Sequence, residues 1–263
     1  MIKPAQEDID LWIKLAQEEI AESIELEKDG FYEKNNIPRQ SVLYGFSSDY
    51  ASLARSLFLN GSPIEEVRAN YITAARYIIK SFKMAFDKTD PDYLGKASEN
   101  AALMETVVIE GFNYSLIGGN FETGRELAHW YYDRPNGKTM EPDVNRYAHA
   151  LKHALLGEKE EGKTLLSLTL EEYQARPTKD PADINYFTMS LALYGILNND
   201  EKHFNEGLEL QLKLYETIAK GEIRDTDEAY ICENAVALAN LGIGFDMTVT
   251  VKHDLMPEGL LLA

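Results

Sequence analysis

Apolar residues return along this chain at three- and four-residue steps, the period of helices packed on one side. Ile9, Trp12, Ile13, Ala16, Ile20 and Ile24 share one face of a first helix. Glu18, Glu22, Glu25 and Asp29 fall on the opposite face, as an acidic outer stripe. Gly30 and the run Asn35-Asn36-Ile37-Pro38 predict the loop that ends it. Tyr50–Leu59 reads as the next helix, stopped at Asn60-Gly61. Ser62-Pro63-Ile64-Glu65 then spells a capping box with proline at the first helical position. The helix that follows carries Val67, Tyr71, Ala74, Ala75, Ile78, Ile79 and Phe82 on one face. So short a connection forces the two helices to pack antiparallel as a hairpin.

The same grammar returns three times. Asn113–Ile117 leads through Gly118-Gly119-Asn120 to a helix with Leu127 and Trp130, and Tyr147–Leu156 leads through Gly157-Glu158 to one with Leu165, Leu168 and Tyr173. Phe187–Leu197 leads through Asn198-Asn199-Asp200 to Phe204, Leu208, Leu212 and Tyr215. Ala229–Leu241 predicts a last helix ending at Gly242. The turn points near 118, 157, 199 and 242 lie at a spacing of roughly 40 residues, the range of helical-pair solenoids. The predicted fold is therefore all-α: stacked antiparallel helical hairpins, either a TPR-like α-α superhelix or an irregular bundle. A single elongated domain over 1–263 is expected, with a possible division into a bundle at 1–133 and hairpins at 143–263. The loop Asp133–Pro142, with Pro135-Asn136-Gly137, would separate them; Arg176–Pro181 is a second interruption. Met247-Thr248-Val249-Thr250-Val251 alternates and is β-branched, so it predicts an extended tail, a short strand or a strap over the last hairpin.

Charge changes the picture most. With 26 basic and 44 acidic residues the chain carries −18. That balance counts against nucleic acid and against an acidic membrane surface, and it steers basic partners inward. Residues 1–29 hold nine acids and three lysines, and residues 198–233 hold ten acids and four basic residues. Each segment is thus −6. The single cysteine, Cys232, permits no internal disulfide and reads as a core residue. The N-terminus lacks the basic start and apolar run of a secretion signal, so the cytoplasm is the expected compartment.

Candidate chemistry is sparse. His149 and His153 have metal-ligand spacing, but their helical wheel places both on the solvent side. Carboxylate-bridged metal sites face a bundle core, whereas the Glu18 and Glu22 pair faces out. Neither a nucleophile elbow nor a phosphate-cradling loop is present. Trp130-Tyr131-Tyr132 cannot all face one core from a helix, so at least one is exposed or covered by another segment. In Glu222-Ile223-Arg224-Asp225-Thr226-Asp227-Glu228, Asp225 or Thr226 is expected to cap the next helix. Glu206, Glu209 and Glu216 extend that acidic segment without a structural role.

The run Leu53–Val67 followed by Ala74-Ala75-Arg76 resembles the immunity protein 49 family of bacterial toxin systems. So do Ala237–Ile243 and Leu255–Leu261, which are similar to that family's C-terminal end. The general layout is also similar to helical immunity proteins that guard against contact-delivered DNases. The resemblance implies a cytoplasmic antidote that binds and blocks a cognate toxin, often a nuclease, with no catalytic motif. The family's glutamate-bearing C-terminal helix would match Glu228 or Glu233.

The expected function is neutralisation of a basic protein toxin through acidic faces, with Glu18, Glu22, Glu25, Glu209, Glu216, Asp225, Asp227 and Glu228 as partner-binding residues. No catalysis, cofactor or metal is expected. A helical-repeat adaptor that binds a peptide in a concave groove is the alternative, and a metal-dependent enzyme using His149 and His153 is a third.

Overall fold

A computed structural model describes residues 3–94, 103–133, 139–221 and 223–263. Eleven α-helices and no strand occur among the described residues, so the architecture is all-α. The chain divides into two compact units, Ile2–Thr139 and Met140–Ala263.

In the N-terminal unit, α1 is Gln6–Lys28, α2 Phe31–Lys34, α3 Arg39–Leu59, α4 Ile64–Phe86, α5 Glu105–Ile117 and α6 Phe121–Trp130. The α3–α4 hairpin is its centre: α1 packs on α3, while α5 and α6 pack on α4. Every core position read for α4, from Val67 to Phe82, is buried. Two buried polar side chains tie the hairpin together, Gln40 donating to the Ser81 carbonyl at 3.1 Å and Ser47 to that of Ala74 at 2.9 Å. Tyr131 closes the unit, its ring meeting Phe82 and Phe112 edge-on.

The C-terminal unit holds α7 Pro142–Leu156, α8 Lys159–Ala175, α9 Pro181–Asn198, α10 Glu201–Ala219 and α11 Glu233–Gly244. Neighbours in sequence pack in order, and α11 lies on both α9 and α10. A buried polar chain joins α9 to α10. Thr188 donates to Gln211 Oε1, and Gln211 Nε2 donates to Asn185 at 2.8 Å.

One backbone device builds all four hairpins. After α3, α5, α7 and α9 a residue takes positive φ: Gly61 (79°), Gly119 (71°), Gly157 (79°) and Asn199 (55°). The next N–H then reaches back across six residues, Ser62 to Leu57, Asn120 to Ser115, Glu158 to His153 and Asp200 to Gly195, at 2.8–3.0 Å. These are Schellman motifs, which satisfy the last carbonyls of a helix while reversing the chain. Asn36 and Asp246 end α2 and α11 in the same way. The repeated turn points are therefore one hydrogen-bond motif in different sequence dress. Asparagine at 199 reflects its tolerance of the left-handed region.

Several expectations need correcting. The second long helix, α3, starts at Arg39, not Tyr50, because Val42, Leu43 and Phe46 bury themselves despite the interspersed Gly45 and serines. The predicted loop before it contains the single-turn α2. Pro63 is extended (ψ 135°) and sits at the N-cap of α4, so no side-chain cap forms and the Ser62 box is not made. The last helix starts at Glu233: residues Asp227–Tyr230 form a 3-10 turn, and the chain reverses at Asp246, not at Gly242. In α8, Leu168 is exposed, and Leu166 with Thr169 takes the core instead. Pro135-Asn136-Gly137 lies outside the described residues.

The tail is a strap. Thr248 N–H donates to Glu201 Oε1 at 2.9 Å, Thr250 N–H to Asn205 Oδ1 at 2.7 Å, and Asn205 Nδ2 to the Thr248 carbonyl at 3.0 Å. Farther on, the Leu255 carbonyl accepts from Cys232 N–H at 2.8 Å, and buried Asn240 pins Leu260 and Leu262. Cys232 stands at the N-terminal boundary of α11 without a side-chain cap bond and is fully buried; burial pushes its thiol up to about 12.

Candidate partner-binding surface

On α1 the structure keeps the two faces apart. Ile9, Ala16 and Ile20 are buried, Trp12, Ile13 and Ile24 half-buried, and Glu18, Glu22, Glu25 and Asp29 exposed. Among the described residues, only Lys14 meets a stripe carboxylate by a direct ion pair, at 3.7 Å from Glu18, with both side chains well exposed. Such a pair is worth little to the fold. Leu11 and Leu15 are also exposed, at 49% and 43%. At about 100° per residue they continue the acidic stripe toward the N-terminus. Two apolar anchors beside three or four carboxylates form a surface that the fold itself does not use. The leucines were legible in the sequence from the same wheel that placed the acids.

On the flank of α1, between that stripe and the buried face, lies a second feature that the sequence reading did not include. Asp49 of α3 is half-buried and faces Glu19 of α1. Desolvation first, then the charge and hydrogen bond of Glu19, push its carboxyl up to about 6. A raised folded-state value means stability present below the ordinary 3.8 and lost as pH rises through about 6. Above that range two carboxylates repel where α1 lies on α3. Asp49→Asn is expected to stabilise the protein by about 1 kcal/mol near pH 8, a figure reduced for solvent screening. The check is urea unfolding at two pH values: the variant should lose the decline in stability between about pH 4 and pH 6 shown by the parent.

The C-terminal acids are arranged differently. Glu206 and Glu209 are exposed and Glu216 is half-buried on α10, but Lys202, Lys213 and Lys220 share that outer face. Glu216 pairs with Lys220 at 2.8 Å, which holds its carboxyl below the usual range. The face is mixed in sign, so charge counted along the sequence overstated it. Asp225 is exposed and pairs with Arg224 at 3.0 Å. Neither Asp225 nor Thr226 caps the turn that follows; Thr226 Oγ1 donates to the Ile223 carbonyl instead. Glu228 is exposed, and its carbonyl accepts from Tyr215 Oη at 2.9 Å. Asp227 does not belong to an outer face. It is 8% exposed, turned inward with Ala229 by the 3-10 geometry. Glu222 lies outside the described residues.

His149 and His153 are both half-buried, and His153 Nδ1 meets Glu158 Oε2 at 2.6 Å. Two acid-x-x-His spacings occur, at Glu126/His129 and Asp200/His203. Glu126 pairs with Lys83 at 3.4 Å, and Asp200 caps α10 while meeting His203 at 2.6 Å. Among the described residues no three His, Cys, Asp or Glu side chains converge as a metal site would need, and no helix is long and apolar enough to cross a membrane. Of the three consecutive aromatics, Tyr131 is buried, Trp130 half-buried under Lys83, and Tyr132 is 50% exposed beside Phe86. No family model, curated protein or solved structure matches the chain.

Proposed function

We propose that this chain is a cytoplasmic immunity protein that binds and neutralises a cognate bacterial toxin, a nuclease with a basic surface. It acts by occupancy and not by catalysis. The observation that carries the reading is the outer face of α1, where exposed Leu11 and Leu15 continue into Glu18, Glu22 and Glu25. Nuclease toxins need cationic surfaces for phosphate, and an acidic inhibitor face both fits them and speeds encounter. The leucines supply the desolvated contact that charge alone does not. The resemblance to the immunity protein 49 family points the same way.

The test is rescue and pull-down with the product of the adjacent upstream gene. The triple variant Glu18→Lys, Glu22→Lys, Glu25→Lys is expected to slow association by about tenfold or more and to weaken its salt dependence. Its circular dichroism and melting should match the parent, because these side chains are exposed. Leu15→Ala should instead raise the dissociation rate, at a cost of about 1–2 kcal/mol. A neighbourhood without a toxin domain, together with no rescue on co-expression, refutes the reading.

A further inference from the structure

Three helix ends meet in the C-terminal unit: the start of α7, the end of α8 and the start of α9. Between them lies a cavity of about 580 Å³, walled by Asp143 of α7, Thr169, Glu172 and Tyr173 of α8, and Asp183 and Phe187 of α9. Its charges are unequally answered. Glu172 takes Arg146 in a two-pronged pair at 2.6 and 3.0 Å, which holds its carboxyl below the usual range. Asp183 is exposed, and its carboxylate makes no hydrogen bond or ion pair among the described residues. Asp143 is half-buried and accepts from the Val144 N–H at 2.8 Å. Desolvation first, then the charges of Asp183 and Glu141, hold its carboxyl above the ordinary value, although Arg146 feels it too. Helix dipoles favour an acid in each of these first turns, but they do not answer the repulsion between the two. Thr169 adds an independent observation. It is 4% exposed, and its Oγ1 is buried without a hydrogen-bond partner, a cost that a donor entering the cavity would recover. Tyr173 and Phe187 stack with ring centres 3.8 Å apart and planes 13° from parallel, so the remaining wall is aromatic and flat.

We infer that this cavity binds the guanidinium of an arginine presented by a basic protein partner. This rests on the reading of the chain as a toxin-binding protein. A guanidinium is planar, donates through five N–H groups, forks onto carboxylates and stacks on aromatic faces; an ammonium is a point charge without that shape. The three kinds of wall match it: two carboxylates, a hydroxyl oxygen without a donor, and a stacked ring pair. One cation of the chain itself, exposed Arg176, stands on the rim. With Arg146 answered by Glu172, Asp143 and Asp183 outnumber it, so the site selects a cation over an anion. The mouth is open, since Pro142, Glu172, Ala175 and Asp183 are all exposed. A free small molecule needs most of its surface enclosed, whereas a side chain tethered to a protein does not.

Titration of the ¹⁵N-labelled full chain with acetylated and amidated Gly-Arg-Gly tests this. Saturable shifts are expected at the amides around Asp143, Thr169 and Asp183. The citrulline counterpart, of the same shape without the charge, should bind about tenfold more weakly, and the lysine one about threefold. Asp183→Asn, at an exposed position, should keep the parent's melting and weaken binding about tenfold. Thr169→Val should weaken it about threefold while leaving the free chain at least as stable, because the hydroxyl has no partner there. A merely structural Thr169 would give the reverse, lost stability with binding unchanged. Arg176→Gln removes the opposing charge on the rim and should tighten binding. Equal binding of arginine and citrulline peptides overturns the inference, as do shifts that follow the α1 acids instead of the cavity. Tighter binding of free L-arginine than of the capped peptide also overturns it, because the site then takes a free molecule. If the arginine peptide binds but no neighbouring toxin is neutralised, the cavity stands and the immunity reading falls. If a toxin is neutralised while the peptide leaves these amides unmoved, the cavity falls alone.

Discussion

Gly207→Ala lowers the stability of the C-terminal unit by about 3 kcal/mol, one of the two largest effects expected of a single methyl-scale change in this chain. A Cβ there would sit 2.4 Å from the backbone nitrogen of Ala192, 2.7 Å from its Cα and 2.8 Å from its Cβ. One turn farther along the pair, a Cβ on Gly195 would fall 2.3 Å from the nitrogen of Phe204. These obstacles are backbone, which no rotamer change moves, so α9 and α10 must separate. Separation in turn stretches the Thr188–Gln211–Asn185 chain and leaves buried polar groups short of partners. Gly195→Ala is expected to behave alike. The contrast is Gly45, exposed in α3 with nothing within 4 Å of its would-be Cβ. There alanine should stabilise by about 0.5–1 kcal/mol through helix propensity. Urea midpoints of the three variants decide it. A Gly207→Ala midpoint equal to the parent's would mean that the two helices are not in backbone contact.

Phe204→Ala should cost about 4 kcal/mol. Its ring is fully buried, and a Cβ on Gly242 of α11 would lie 2.4 Å from Phe204 Cζ. Phe204 therefore fills the notch that Gly242 leaves, and its backbone fills the one left by Gly195. Deleting the ring opens a cavity shared by α10 and α11, with α9 behind it. Gly242→Ala alone is also expected to destabilise, because an aromatic ring offers no flexible end to give way. Combined with Phe204→Ala, however, the added methyl enters empty space. The double variant should be as stable as Phe204→Ala or more so. Additive losses in that cycle would sink the lock-and-notch account.

How much of this was legible varies by residue. The α4 face from Val67 to Phe82 and the α1 face around Ile9, Ala16 and Ile20 were plain from period alone, because side-chain burial on a lone stripe is a local code. The N-terminal half of α3 was not, since Gly45 and its serines weaken the period that tertiary burial of Val42, Leu43 and Phe46 overrides. The acidic stripe of α1 was legible and so was its exposure. The acidity of α10 misled, because charge counted along a segment ignores the lysines brought to the same face. Asp227 misled for a related reason: a 3-10 turn, with fewer residues per turn than an α-helix, points the side chain elsewhere.

The sequence by itself determined an all-helical chain, its hairpin turns, and a −18 charge concentrated partly on one helical stripe. Those properties follow from residue type and spacing along a few turns of chain. Only the tertiary structure decided which acids stand unneutralised, that Asp49 meets Glu19, and that the tail is a strap with one pinned edge. Each of these joins residues far apart in sequence, and their distance depends on how closely helices pack. That closeness was set at Gly195 and Gly207, where the absence of a side chain is what brings two backbones together.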